Sequence, residues 1–299
     1  MTTPIDPRAL RMFLAICRAG SISGAARRLA ISQPSVSNAI ARLEAKLGAC
    51  LFERGRAGIL LSAEGRALLR HAEAMEHLLA NAAEEVAAAG RGIAGPLRVG
   101  GTPGALVSLL PPAVERLKRE FSRFALHVIE RPDSMLNAML LRGEIDLAFV
   151  TTAIEAPPAG IDEITLARDP FALIVGPANA HLPGELALTD GGALSWVLPE
   201  AVGAFRRQVT ALFIAAGVAE PADAIRCDSL LTTKAIVRDS DRVTILPRQV
   251  ASAELSMGVL RAIAIREARF ERSVGVRRLT AAALSPLGRA LLAAMGHDP

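Results

Sequence analysis

The feature that most constrains this fold is a set of helix boundaries in the first 48 residues. One helix begins at Asp6 and ends at Gly20, because Asp is a preferred N-cap and Gly a preferred residue just past a helix end. In the same way, Ser32 begins a later helix that Gly48 ends. A short helix fits between these two. The N-terminal segment is therefore predicted to be a compact domain of three short helices.

The residues that follow predict a hairpin and a long helix. The middle helix starts at Ser21 or Ser23 and carries small residues where it meets its neighbours. The segments 51–54 and 59–61, with Gly55 and Gly58 between them, predict two short strands joined by a loop. Ser62 then opens a helix that runs to about residue 89. Three helices followed by a hairpin predict a winged helix-turn-helix.

The third helix divides into an apolar and a polar face. Val36, Ile40, Leu43 and Leu47 recur at helical spacing and face inward. The outward face starts with short hydroxyl and amide side chains, which suit phosphates and base edges in a DNA major groove. The predicted DNA contacts, including basic residues of the second helix and the wing, are Arg28, Ser32, Gln33, Pro34, Ser35, Ser37, Asn38, Arg54 and Arg56.

These candidates have different expected roles. Gln33 suits a paired hydrogen bond with adenine, and Ser37 and its neighbour suit adjacent base edges or phosphates. The arginines suit phosphates. Two alternatives stay open, because Ser32 is also a helix cap and Arg54 can instead pair with an acid such as Glu44.

The charge distribution agrees with a polyanion-binding N-terminal segment. Residues 1–65 hold nine Arg and Lys against four Asp and Glu, whereas the whole chain has a net charge of +4. With 51% hydrophobic residues the chain is globular. Without a long apolar run or a signal-like N-terminus, a cytoplasmic location is expected. Three scattered cysteines and five scattered histidines predict no disulfide, metal site or cofactor.

The long helix carries apolar positions spaced by three and four, as in a coiled coil. The predicted dimerisation residues are Leu68, Ala72, Met75, Leu79, Ala82 and Val86. The alternative is a helix that lies on its own domain. The glycine-rich segment 90–96 then predicts a hinge.

Beyond the hinge, short apolar strands alternate with helices, which predicts α/β layers. The predicted strands are 97–101, 125–130, 146–150, 171–176, 196–199, 224–227, 243–246 and 273–279. The predicted helices are 106–120, 134–141, 205–216, 230–238 and 286–295.

The chain resembles the LysR-type transcriptional regulators over almost its full length. In the N-terminal part the matching residues are Leu10, Phe13, Gly20-Ser21-Ile22-Ser23, Ala25-Ala26, Leu29, Ser32-Gln33-Pro34-Ser35-Val36-Ser37, Ile40, Leu43-Glu44, Leu47-Gly48, Leu51-Phe52, Arg54, Ser62 and Gly65. In the C-terminal part they are 96–100, 140–148, 181–183, 196–199, 245–247 and 284–286. So many matches in one register make the resemblance specific.

The resemblance implies a C-terminal domain similar to periplasmic binding proteins, with two α/β subdomains joined by two crossing strands and a ligand cleft between them. The implied division is a DNA-binding domain at 1–65, a linker at 66–95, and an effector-binding domain at 96–299. Subdomain I would comprise 96–166 and 271–299, and subdomain II 167–270.

Strand ends and helix starts around the implied cleft suit a small polar or anionic effector. The candidate effector contacts are Gly101, Thr102, Pro103, Ser134, Thr151, Thr152, Gly203, Phe205 and Ser229. Helix capping or core packing is the alternative role for several of them.

The expected function is therefore a ligand-responsive regulator of transcription that binds double-stranded DNA as a homodimer or homotetramer. An enzyme built on the α/β half is disfavoured, because no nucleophile triad, phosphate loop or metal cluster is present in the sequence. A third possibility is an architectural DNA-binding protein whose second half responds to no ligand.

Overall fold

The computed structural model describes residues 5–55, 58–200 and 203–297, and for 54, 55 and 58 the backbone alone. The chain forms two compact units. The first comprises Met1–Ala87 with Leu141–Glu144, and the second comprises Ala88–Leu140 with Ile145–Pro299. No helix in the described part of the chain is long and apolar enough to cross a membrane.

Three short helices open the first unit, bounded by the predicted caps. They are α1 (Pro7–Ala19), α2 (Ile22–Leu29) and α3 (Gln33–Leu47). The Asp6 carboxylate accepts the N–H of Arg8 at 2.9 Å, and Gly20 ends α1 in the left-handed region at φ 66°. Ser21, one of the two predicted starts, caps α2 by accepting the N–H of Gly24 at 3.1 Å.

A hairpin and a long helix complete the first unit. Strands β1 (Phe52–Gly55) and β2 (Gly58–Leu61) pair antiparallel as the predicted wing. Helix α4 (Ala63–Ala89) follows and, at 1.5 Å per residue, is roughly 40 Å long. The Ser62 hydroxyl fixes its start, since it accepts the N–H of Gly65 at 2.8 Å and donates to the carbonyl of Cys50 at 2.6 Å.

The packing of α4 corrects part of the predicted dimer seam. Leu68 and Ala72 are buried in the core of the first unit together with Phe13 and Val36, and Met75 packs against this core. For these positions the alternative holds, because the helix lies on its own domain. Further along α4, Leu79 and Val86 are exposed.

The second unit is built on one ten-stranded sheet. Its strands are β3 (Ala94–Gly101), β4 (Phe124–Glu130), β5 (Leu147–Thr151), β6 (Ile161–Val175), β7 (Glu185–Leu186), β8 (Ser195–Leu198), β9 (Ile225–Arg226), β10 (Arg242–Pro247), β11 (Arg261–Ile265) and β12 (Glu271–Leu279). Its helices are α5 (Pro103–Glu120), α6 (Asp133–Leu141), α7 (Ala204–Ala215), α8 (Leu230–Asp239), α9 (Ser252–Ser256) and α10 (Pro286–Ala294).

Two long strands connect the two halves of this sheet. The first part of β6 pairs antiparallel with β12, which also pairs with β5 of the parallel group β4, β3 and β5. The last part of β6, from Phe171 onward, pairs with β10 and β11 instead. Separate apolar cores flank the two halves, one around Phe149 and Leu291, the other around Trp196 and Phe213. The predicted fold class is therefore confirmed.

The structure differs from the predicted elements in three places. Strand β6 begins at Ile161, ten residues earlier than predicted, because its first part is mostly polar and half-exposed and gives no apolar run. Helix α5 begins at Pro103 and continues through Pro111 and Pro112. The short elements β7, α9 and β11 were not predicted.

Candidate DNA-binding surface and effector cleft

The N-terminal turns of α3 present the side chains predicted to contact DNA. Val36 and Ile40 are buried in the core, and their burial fixes the orientation of α3 about its own axis. On the opposite face the side chains are exposed at Ser32, Gln33, Pro34, Ser35, Ser37 and Asn38. These positions combine hydroxyl and amide groups with the positive end of the helix dipole, which together suit phosphates and base edges.

Two of these side chains also stabilise the helix start. The Ser32 Oγ accepts the N–H of Ser35 at 3.3 Å and lies 2.7 Å from the Ser35 Oγ. Both hydroxyls therefore take part in capping, which was the alternative role for Ser32. Gln33, Ser37 and Asn38 are exposed and make no side-chain hydrogen bond of this kind to any residue that the structure describes.

Beside this face, α2 and α3 enclose an open concavity of about 520 Å³. It is lined by Ser23, Ala26, Arg27, Ala30, Ile31 and Gln33. Arg27 lies on this concavity, whereas the predicted contact Arg28 is exposed on α2 without lining it. Sequence periodicity could not separate the two arginines, because both lie on the polar side of a short helix.

The basic residues predicted for the wing cannot be placed. Arg56 and the Arg54 side chain lie outside the described residues. The suggested partner of Arg54, Glu44, accepts the backbone N–H of Leu51 at 2.7 Å and so joins α3 to the start of the wing.

In the second unit, the loop after β3 is packed more tightly than the sequence indicated. A Cβ at Gly101 would lie 2.7 Å from Leu106 Cγ and 2.8 Å from Phe149 Cβ. Gly101 is therefore a buried position that requires glycine, and its predicted effector contact stays a prediction. Thr102, the N-cap of α5, makes no side-chain cap hydrogen bond, and Pro103 follows it in a half-buried position.

The polar residues at the end of β5 are also committed to the fold. Thr151 and Thr152 are buried, and the Thr152 Oγ1 lies 2.8 Å from the Thr165 Oγ1. The Thr152 N–H donates to the carbonyl of Ser273. The hydroxyl and the backbone N–H of Thr152 therefore both take part in holding the fold, and its predicted effector contact stays a prediction. Ser134 is exposed in the first turn of α6.

In the other half of the sheet, the start of α8 has a side-chain cap and the start of α7 has none. Ser229 caps α8, accepting both the N–H and the hydroxyl of Thr232 at 3.3 and 2.9 Å. Phe205 packs against the two apolar cores of this half, as the alternative role for it expected. Gly203, by contrast, precedes α7 with no side-chain cap.

Two groups of charged residues lie on the long strands β6 and β12. Arg272 donates from Nη2 to Ser108 Oγ at 2.9 Å and lies 3.4 Å from Asp169 Oδ2. Burial lowers the pKa of Arg272 to about 10, and burial also raises the pKa of Asp169, although Gln249 donates its N–H to this carboxylate.

The second group surrounds Arg277, whose Nε donates to Glu163 Oε2 at 2.8 Å. Its Nη1 lies within 3.4 Å of both Asp133 and Asn137. Burial raises the pKa of Asp133, while Arg277 acts in the opposite direction.

Comparison with known families decides the identity. The model described as "Bacterial regulatory helix-turn-helix protein, lysR family" matches residues 7–66, and the model described as "LysR substrate binding domain" matches residues 90–298. The chain belongs to the LysR family. It is thus a transcriptional regulator with a DNA-binding and an effector-binding domain, and not an enzyme.

Individual relatives extend over nearly the whole LysR chain. The transcriptional regulator GbpR of Azospirillum brasilense is 27% identical over 290 residues, covering 96% of this chain and 85% of the relative. A probable hydrogen peroxide-inducible genes activator of Mycobacterium avium is 31% identical over 256 residues, with 83% and 79% covered. The crystal structure of full-length CbnR complexed with target DNA superposes with a TM-score of 0.57 at 24% identity, covering 97% and 98%.

In this LysR regulator the predicted site residues fall into three groups. The α3 residues form one exposed face. Among the predicted effector contacts, Gly101, Thr152, Phe205 and Ser229 take part in packing or helix capping, whereas Thr102 and Gly203 precede helices without a side-chain cap and Ser134 is exposed. Sequence reasoning missed Arg27, Ile31 and the buried pair of Asp169 and Arg272. Within the described residues, no three His, Cys, Asp or Glu side chains come together as a metal site.

Proposed function

We propose that this LysR regulator reads its operator through the exposed face of α3. The observation that carries the proposal is the division of that helix, with Val36 and Ile40 buried and Gln33, Ser37 and Asn38 exposed. Gln33 has the geometry for paired hydrogen bonds to adenine, and the other two reach adjacent base edges or phosphates. Ser32, Pro34 and Ser35 place the start of α3 against the sugar-phosphate backbone of the DNA. Arg28, Arg54 and Arg56 contribute contacts to its phosphates.

The test is a double variant in the full-length chain. Gln33→Ala with Ser37→Ala removes recognition groups without touching the core or the cap at Ser32. We expect operator affinity to fall at least 10-fold, since one good paired contact is worth about 1–3 kcal/mol. Glu64→Ala is a suitable exposed control on α4. Unchanged operator affinity in the folded double variant would refute the proposal.

We further propose that the effector carries an anionic group. Of the helix starts around the proposed cleft, that of α8 is already capped by Ser229. The first turn of α6 carries the acidic residue Asp133, which disfavours an anion. The starts of α5 and α7, at Thr102 and Gly203, have no side-chain cap and leave backbone N–H groups for a ligand. An organic anion fits these two positions.

Gly203 allows a direct test. Its φ of 171° is ordinary extended backbone and an added Cβ would meet no atom within 4 Å, so larger residues fit. A panel of organic anions is screened by thermal shift, in which a ligand at 100 times its Kd stabilises the protein by about 2.7 kcal/mol. Gly203→Asp should abolish that shift by repulsion, while the neutral Gly203→Asn should reduce it less. Equal shifts in both variants would contradict an anionic ligand here.

The assembly we propose is a homodimer through the exposed part of α4, paired into a homotetramer. The seam is formed by Leu79, Ala82 and Val86, which are spaced as in a coiled coil and exposed. The proposed division of the chain is 1–65, 66–95 and 96–299, with subdomain I at 96–166 and 271–299 and subdomain II at 167–270. We place the protein in the cytoplasm, where it meets its DNA.

A further inference from the structure

The concavity between α2 and α3 has the chemistry of a DNA-contacting surface. Arg27 is its charged residue, and no acidic side chain is among the residues that line it. Gln33, the proposed adenine-reading residue, forms part of the same wall. An anionic surface, such as the phosphate backbone of a duplex, is therefore the complementary partner.

Ile31 is the unexplained residue on this surface. Its side chain is 37% exposed, whereas Leu10, Val36 and Ile40 are buried in the core of the first unit. Ala30, in the left-handed conformation at φ 54°, turns the chain so that Ile31 precedes the cap of α3. The fold thus presents an aliphatic group two residues before Gln33.

One apolar group is available at base edges in the major groove, the 5-methyl of thymine. An aliphatic side chain next to an adenine-reading glutamine can contact this methyl group on a neighbouring base pair. The adjacent arginine can then neutralise a phosphate of the same half-site.

We propose that Ile31 contacts a thymine 5-methyl group in each operator half-site and that Arg27 holds the adjoining phosphate. This inference rests on the proposed role of α3 in operator binding. It adds an apolar specificity contact to the hydrogen-bonding ones. It also adds Arg27, which lines the same surface as Gln33, to the phosphate contacts proposed for Arg28, Arg54 and Arg56.

The test uses an operator recovered by selection from a random duplex library with the full-length protein. Each thymine is then replaced by deoxyuridine, which removes the methyl group alone. For the wild type we expect one position per half-site at which affinity falls about four-fold, the value for burying one methyl-sized group. Ile31→Ala should bind both duplexes equally. If no thymine shows this loss, or if Ile31→Ala keeps it, the proposal is overturned.

The matched control for Ile31 is Leu47, near the other end of α3. It has the same 37% exposure as Ile31. Leu47→Ala should keep the wild-type discrimination between thymine and uracil. Loss of that discrimination in both variants would mean that a general disturbance of α3 is responsible, and it would overturn the contact by Ile31.

Salt dependence tests Arg27 separately. Arg27→Ala should lower the slope of log affinity against log salt by about 0.9 per bound subunit, the value for one phosphate contact. Arg8→Ala removes an exposed positive charge at the start of α1 and should leave the slope unchanged. An unchanged slope in Arg27→Ala would show that the concavity does not face the duplex.

These outcomes are distinct from failure of the proposed function. If operator affinity does not depend on Gln33 and Ser37, the role of α3 itself is wrong. If operator affinity depends on Gln33 and Ser37 but removal of a thymine methyl group has no effect that requires Ile31, only the contact proposed for Ile31 is wrong.

Discussion

Asp169 and Arg272 face each other on the two strands that join the halves of the C-terminal sheet. The Oδ2 of the carboxylate lies 3.4 Å from Nη2 of the guanidinium, and each side chain is about 95% buried. The same Nη2 bonds Ser108 on α5, and the other carboxylate oxygen accepts the N–H of Gln249. Elements from both halves of the sheet therefore meet at one buried ion pair.

This pair should be costly to break from one side. Arg272→Met leaves Asp169 as a buried charge without its cation, and we expect the free energy of unfolding to fall by about 3–5 kcal/mol. The double variant Arg272→Met with Asp169→Leu removes both charges and should be less destabilised than the single variant. Denaturant unfolding of the three proteins measures the difference. If the free energy of unfolding of the double variant were lower than that of Arg272→Met, the ion-pair explanation would be contradicted.

A pH effect is expected from Glu220. Burial pushes the pKa of this carboxyl upward, but hydrogen bonds from Thr210, Arg206 and Arg226 outweigh burial and hold its pKa below the ordinary 4.5. Because the folded pKa is lowered, the carboxylate contributes stability above the unfolded value of 4.5 and loses that contribution as the pH falls through the folded value.

Glu220→Gln tests that sign. At neutral pH the variant should be less stable than the wild type by roughly 1.5–3 kcal/mol, the range for hydrogen bonds to a charged group. The difference should shrink as the pH falls below 4.5 and through the lowered pKa of Glu220 in the folded state, because the carboxyl then becomes protonated in both states. Unfolding free energies across this pH range give the comparison. A difference that grows on acidification would disprove the assignment.

The sequence predicted those elements whose residues signal themselves locally. Asp6 and Ser32 cap their helices as expected, and the hairpin and long helix follow in the predicted order. The first part of β6 was missed, because a strand held by its backbone pairing with β12 needs no apolar alternation. Such non-local pairing is not encoded in a window of a few residues.

The site was predictable to a different extent in each unit. On α3 the polar face follows directly from helical spacing, so the exposed set was found. Around the cleft, Gly101 and Thr152 looked available in sequence, but their neighbours Leu106, Phe149 and Thr165 are brought to them by the fold. The sequence shows which residues follow the end of a strand, where ligands often bind. Tertiary contacts decide whether such a residue is accessible to a ligand.

Gly65 should be intolerant of even a methyl group. A Cβ at this position would lie 2.2 Å from the backbone oxygen of Leu51 and 2.8 Å from Leu61 Cδ2, at the junction of the wing with α4. Gly65→Ala is therefore expected to destabilise the protein by about 1–3 kcal/mol through overpacking. Gly184→Ala, where an added Cβ meets nothing within 4 Å, is the control. Equal thermal stability of the two variants would mean that the junction can move apart.

The two parts of α4 should respond differently to substitution. Leu68 is buried in the core of its own unit, so Leu68→Ala should cost about 2–5 kcal/mol of stability. Val86 is 74% exposed, so Val86→Glu should leave the unfolding transition of the monomer nearly unchanged while placing a charge in the proposed subunit seam. Sedimentation equilibrium of both variants then separates folding from assembly. We expect Val86→Glu to shift the protein toward smaller species and Leu68→Ala to lower its melting temperature. If Val86→Glu sediments like the wild type at the lowest measurable concentration, the subunits associate through another surface.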